Sequence, residues 1–289
     1  MDELHRDDEP TEEPREEPRR IWGLALGILA VLAVVAALYY FFVAKKPKAP
    51  EAAQPAAATA VKTEAEAAPA APGLEPLAFP AVSLAESDAA VRSFAAAIDA
   101  SPEFAKWILT KDLIRKFVVS VDNVANGMSP KGHVDFFSPG GAFRVSRTKA
   151  GTFVDPAGYA RYAPVVGVVT ALDATAAVRL YRAVEPLLQE AYNELGYPGV
   201  DFDDTLVKAM GELLETPVVE GPIPVRQKVL SYAMTDEALE SLSPAQKQLL
   251  RMGPKGVEAV QAKIREVAAV MGIPAARLPP SRVYRPAAK

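Results

Sequence analysis

Cysteine is absent from all 289 residues. That excludes disulfides, thiol catalysis and thiolate metal sites, but it fixes no compartment, because oxidising compartments also hold cysteine-free proteins. Histidine is nearly missing: His5 lies near the N-terminus and His133 is the other. A Ser-His-Asp triad in the folded region would have to use His133, and a zinc site built on two histidines cannot be assembled there. No cofactor and no metal is expected. An excess of one charge is lacking too. Of 32 basic and 36 acidic residues, eight and 13 precede Leu77, leaving 24 against 23 and a formal net charge of +1 for the remainder. The electrostatic footprint of a nucleic-acid binder is therefore missing.

What is present divides the chain into five parts. Residues 1–20 form an acidic tail with nine acidic and four basic residues. Ile21–Val43, "IWGLALGILAVLAVVAALYYFFV", has 23 residues and no charge. As a helix it would span about 34 Å, enough for a hydrocarbon core of about 30 Å. Trp22, Tyr39 and Tyr40 stand near its ends, where amphipathic rings prefer headgroups. The run exceeds the apolar region of a signal peptide, so residues 21–43 are predicted to be an uncleaved transmembrane helix in the lipid bilayer. Residues 44–76 are an Ala/Pro-rich linker, 77–272 a helical globular domain and 273–289 an extended C-terminal tail. Basic residues flanking the span are tied at four and four, so the positive-inside count gives no orientation. The semi-rigid spacer favours a cytoplasmic N-terminus and a periplasmic domain, anchored in the inner membrane. Gly23 with Gly27, and Ala33 with Ala37, would let two spans approach closely enough for a homodimer.

About 210 residues remain for a core, ample for one domain. The fold class expected is mainly α with a small β-hairpin. Ser87, Ser101-Pro102, Asp155-Pro156, Asp173, Asp236, Ser243-Pro244 and Gly253-Pro254 each read as a helix start. Leu113, Ile114, Phe117, Val118 and Val121 form one apolar stripe. "DATAAVRLYRAVEPLLQEAYNELG" carries another over five turns, with Pro186 inside it. Phe202–Leu214 reads as a further helix. "FRVSR" and "TFVD", joined by "TKAG", predict the hairpin, and "PVRQKVLSYAM" predicts a strand or an irregular connection.

Three stretches could carry chemistry. "QLLRMGPKG", Gln248–Gly256, resembles a helix-hairpin-helix turn, whose amides can hold a phosphate. It lacks the first glycine of that motif, and the helix after it has an apolar stripe, so a tight interhelical turn is expected and no nucleic acid. "DFDD", Asp201–Asp204, with Glu212 downstream, could pair carboxylates for acid/base work, although acids at a helix start also serve as caps. The long loop before the hairpin gathers Lys131, His133, Gly140 and Gly141, with Arg144, Arg147 and Lys149 following. These residues suggest a pocket for an anionic ligand, since long irregular loops are often functional. Tyr159 and Tyr162 could line it, though their spacing suits a core.

The segments "VDN" at Val121–Asn123, "FFSPGGAFRV", "DPAGYARYAPVV", "YRAVEPLLQEAYNELGYPG", "LLETPVVEGPI" and "LSPAQKQLLRMGP" occur in this order. Together, over about Val82 to Val267, they resemble a bacterial family of membrane-anchored proteins known as domain of unknown function 3014. The resemblance implies a protein crossing the membrane once, and it carries over no catalytic residue. The functional expectation is an envelope scaffold or receptor that binds an unknown envelope protein or an anionic ligand. The alternative is a tethered hydrolase or transferase acting on envelope polymers through Asp201, Asp203, Asp204 or Glu212.

Overall fold

The computed structural model describes residues 74–132, 139–229 and 231–286. The span expected at residues 21–43, the linker up to residue 73 and His133 lie outside them. Among the described residues no single helix is long and apolar enough to cross a membrane.

The described chain is mainly helical with small two-stranded sheets, and its helices begin where short polar side chains can cap them. In α1 (Asp88–Ala95) Ser87 is an exception: its buried hydroxyl donates to the Leu84 carbonyl instead of capping the helix. Before α2 (Pro102–Trp107) the Ser101 hydroxyl accepts from the Phe104 amide at 3.2 Å. Helix α3 (Leu113–Ala125) is capped from a distance, because the Asp88 carboxylate accepts from the Asp112 and Leu113 amides at 2.8 and 2.9 Å. Asp173 caps α5 (Ala174–Glu194), and Asp201 caps α6 (Phe202–Leu214). The apolar faces of α1, α3, α5 and α6 bury Val118, Val178, Val184, Leu188, Leu206 and Leu214 in one helical core. Each such side chain contributes about 1.5–3 kcal/mol on burial. On α5 the buried stripe takes Val178 rather than Ala177 and ends before Leu195, which is exposed.

Between α3 and α5 lie the predicted hairpin, β1 (Val145–Thr148) and β2 (Gly151–Val154), and then a 3-10 turn over Pro156–Tyr162. An α-helix was expected from Asp155; only α4 (Ala163–Ala171) is one. The difference matters, because three residues per turn stack Tyr159 and Tyr162 on one side. "PVRQKVLSYAM" is neither one strand nor an irregular connection. It folds back as β4 (Val225–Gln227) and β5 (Tyr232–Met234), paired from Val225↔Met234 to Gln227↔Tyr232. A third sheet pairs β3 (Val218–Val219) in parallel with β6 (Val283–Tyr284). The tail expected to lie extended thus docks, turning first through a 3-10 segment at Ala275–Arg277 and burying Leu278. A second apolar cluster, Val154, Val219, Ile223, Val225, Leu239 and Leu250, lies under the two hairpins.

α7 (Glu237–Glu240), α8 (Pro244–Leu250) and α9 (Gly253–Val270) complete the fold. The last turn of α6 leaves carbonyls without intrahelical donors, and two buried glutamines meet them. Gln246 closes a capping box with Ser243 and donates from Nε2 to the Glu212 carbonyl at 3.2 Å. The Gln261 Nε2 lies 3.2, 3.2 and 2.8 Å from the carbonyls of Leu213, Leu214 and Thr216. The end of α3 joins the same place, since the Ala245 amide donates to the Gly127 carbonyl at 3.0 Å. Removing the Gln261 amide strands buried carbonyls, at a cost of roughly 1–3 kcal/mol. Gln261→Leu should lower the urea midpoint accordingly. Gln261→Glu, which sets an acceptor against acceptors, should lower it further. Equal stability of all three chains would disprove the joint.

Candidate functional site

An open cleft of about 770 Å³ lies between the two hairpins, the 3-10 turn and α8. Its size is that of a small-ligand site. Lys131, Gly141, Arg161, Lys228, Lys247 and Arg251 line it together with Phe143, Tyr159, Tyr162 and Tyr232. Five cations thus face one carboxylate, Glu240. That carboxylate is already engaged: it lies 3.5 Å from the Lys247 ammonium and 3.6 Å from that of Lys228, and accepts from the Met234 amide at 3.1 Å. Burial opposes its ionisation, but the Met234 amide and the two lysines outweigh burial and hold its carboxyl below the ordinary range.

Lys131, Arg161 and Arg251 have no carboxylate partner among the described residues. The Arg161 guanidinium is held by neutral acceptors, the Gly141 carbonyl at 3.0 Å and the Tyr162 hydroxyl at 3.3 Å. It also lies 5.0 Å from the centre of the Tyr162 ring, within cation–π range. Its Nε is buried and unpartnered. Arg251 donates to Gln248 Oε1 at 3.0 Å. Both arginines, with Tyr159, also line a small pocket opening beside the cleft, so the three groups bracket one place. Burial, then the Asp155 charge, raises the Tyr159 pKa, which keeps its hydroxyl a donor. Guanidinium groups held this way, short of counter-charge and partly desolvated, favour a bound carboxylate or phosphate.

Of the loop residues expected to make an anion pocket, Lys131 and Gly141 line the cleft, and Gly140 sits beside Gly141 with nothing near its α-carbon hydrogens. Arg144 instead pairs with Asp155 at 3.2 Å and lines only the small side pocket. Arg147 points along the hairpin and donates to the Tyr232 hydroxyl at 3.3 Å. His133 lies outside the described residues. Arg161, Lys228, Lys247 and Arg251 come from three other segments. Arg161 and Arg251 stand in "GYARY" and "LLRMG", each beside residues whose spacing spoke for packing, so only the fold brings them together.

The acidic candidates do not converge. Asp201 caps α6, Asp204 lies 3.5 Å from Arg277, and Asp203 accepts from the Tyr181 hydroxyl and, at 2.7 Å, from Arg182. Asp203 and Glu212 are nine positions apart on α6, which at about 100° per residue sets them on opposite sides of the helix. None of the four lines the cleft.

The family model described as Protein of unknown function (DUF3014) matches residues 113–268, more than half of the chain. The chain belongs to that family. No curated protein and no solved structure matches it. Every residue lining the cleft falls inside the DUF3014 match, which runs from the first residue of α3 into the last turns of α9.

Within the DUF3014 region the turn "QLLRMGPKG" closes the cleft's floor. Gly253 has a φ of 75°, and a β-carbon there would sit 2.5 Å from the Tyr159 ring. The ring therefore covers the start of α9, where a helix-hairpin-helix would present its amides. Gly253→Ala should cost roughly 2–4 kcal/mol, from the left-handed backbone and the clash together. Adding Tyr159→Ala should restore part of that in thermal unfolding. A single variant as stable as the parent would show that the contact carries no strain.

Proposed function

We propose that this DUF3014 protein is an envelope binding protein. Residues 21–43 anchor it as a single-pass inner-membrane protein, its C-terminal domain is periplasmic, and its cleft takes an anionic ligand. The observation that carries the reading is the charge balance of the cleft, where Arg161, Arg251 and Lys131 face the opening without a carboxylate partner among the described residues. Aromatic walls from Phe143, Tyr159 and Tyr232 would hold the apolar or planar part of the ligand, and the guanidinium groups would hold its charge. The uncharged 23-residue run and the Ala/Pro-rich stretch after it support the anchored arrangement. The engagement of Asp201, Asp203 and Asp204 in capping and ion pairs supports binding rather than hydrolysis through these carboxylates.

Titration of the purified full-length chain with glycerol phosphate, followed by calorimetry, tests the reading. A hydrogen bond to a charged group contributes about 1.5–3 kcal/mol. Arg161→Ala and Arg251→Ala should each weaken binding roughly tenfold or more, and added salt should weaken it further. Unchanged affinity in the double variant would exclude the cleft as the anion site.

A further inference from the structure

The two hairpins flanking the cleft send their turns to the same side. β2 meets β4 in an antiparallel bridge between Phe153 and Pro224. β2 reaches that bridge coming from its turn, and β4 leaves it heading for its own. The side-by-side placement is fixed again by Arg147 on the Tyr232 hydroxyl at 3.3 Å and by the Phe143 and Tyr232 rings, 5.7 Å apart. The turn around Lys149 and the turn at Lys228–Ser231 therefore project together. Arg147, Lys149, Arg226, Lys228 and Lys131 are all exposed there. Among them Val229 is 95% exposed, an apolar side chain held out at a convex tip. The two carboxylates nearest these cations, Glu240 and Asp155, already hold Lys247, Lys228 and Arg144.

We infer that this end of the domain docks on an anionic phospholipid surface. Val229 enters the interfacial layer, the exposed cations of both turns face headgroup phosphates, and the cleft between Arg161 and Arg251 receives one headgroup. The inference rests on the anion-binding reading of the cleft and adds the source of the anion. The shape of the apolar contact decides for lipid over an acidic protein. A stable protein interface buries about 800 Å² on each partner, and a single valine on a protruding turn offers no such area. Interfacial insertion needs only a small apolar tip with cations around it, each basic group adding its attraction to the anionic leaflet.

The absence of cysteine makes Val229→Cys a unique labelling site. The full-length chain carrying a polarity-sensitive fluorophore there is reconstituted into phosphatidylcholine vesicles, with or without phosphatidylglycerol and with nitroxide-bearing lipid as quencher. Emission should shift to the blue and be quenched only when phosphatidylglycerol is present. Lys149→Glu with Arg226→Glu, neither of which lines the cleft, should reduce the docked population roughly tenfold or more. The same pair should leave glycerol phosphate affinity unchanged. Identical emission in both kinds of vesicle, or quenching indifferent to the two substitutions, overturns the inference. So does an equal shift on adding soluble polyglutamate, which would assign the face to an acidic polypeptide. Glycerol phosphate binding without quenching sinks the lipid assignment alone, while loss of both sinks the cleft reading as well.

Discussion

A helix that ends inside a protein leaves carbonyls that must find donors, and in this fold that requirement is met at α6 by helices distant in sequence. Gln246 and Gln261 reach the carbonyls of Glu212, Leu213, Leu214 and Thr216, while the Gly127 carbonyl at the end of α3 accepts from α8. Three helix ends are thereby brought to one place. Lys131 follows four residues after Gly127, and Lys247, Gln248 and Arg251 follow directly after Gln246. Satisfying buried backbone groups is what sets one wall of the cleft against the other.

The opposite wall depends on close approach. Gly253 has no β-carbon, so the Tyr159 ring can lie against the start of α9, and the 3-10 turn that carries Tyr159 also carries Arg161. The cations of the cleft are thus fixed by backbone geometry rather than by ion pairs, which leaves their charge for a ligand. Glu240 shows the contrast: its carboxylate ties Lys228 and Lys247 to the β4–β5 hairpin and so shapes the site without neutralising the arginines.

Much of the helical core could be read in the sequence, because capping residues and apolar spacing act locally. Asp173, Asp201, Ser101 and Ser243 all cap as their positions suggest, and Phe202–Leu214 forms the helix expected. The β-structure was less legible. A hairpin whose turn contains Lys228, Val229 and Ser231 lacks the glycine or asparagine that usually marks such a reversal, and two-residue strands such as β3 and β6 depend on a partner far along the chain. Gln261 escaped notice because a polar residue on an apolar stripe looks exposed until the carbonyls it serves are known. The anion site was half legible. A loop rich in glycine and basic residues marked Lys131 and Gly141, but Arg161 and Arg251 join them only through the helix junction.

The central claim, that the fold builds a cleft whose spare positive charge holds an anion, is tested most directly by hydrogen exchange on the full-length chain with and without glycerol phosphate. Exchange should slow at Gly141–Phe143, around Arg161 and across Gln248–Gly253, and stay unchanged at the far end of α5 near Glu194. Slowing confined to other segments, or none at saturating ligand, would contradict it.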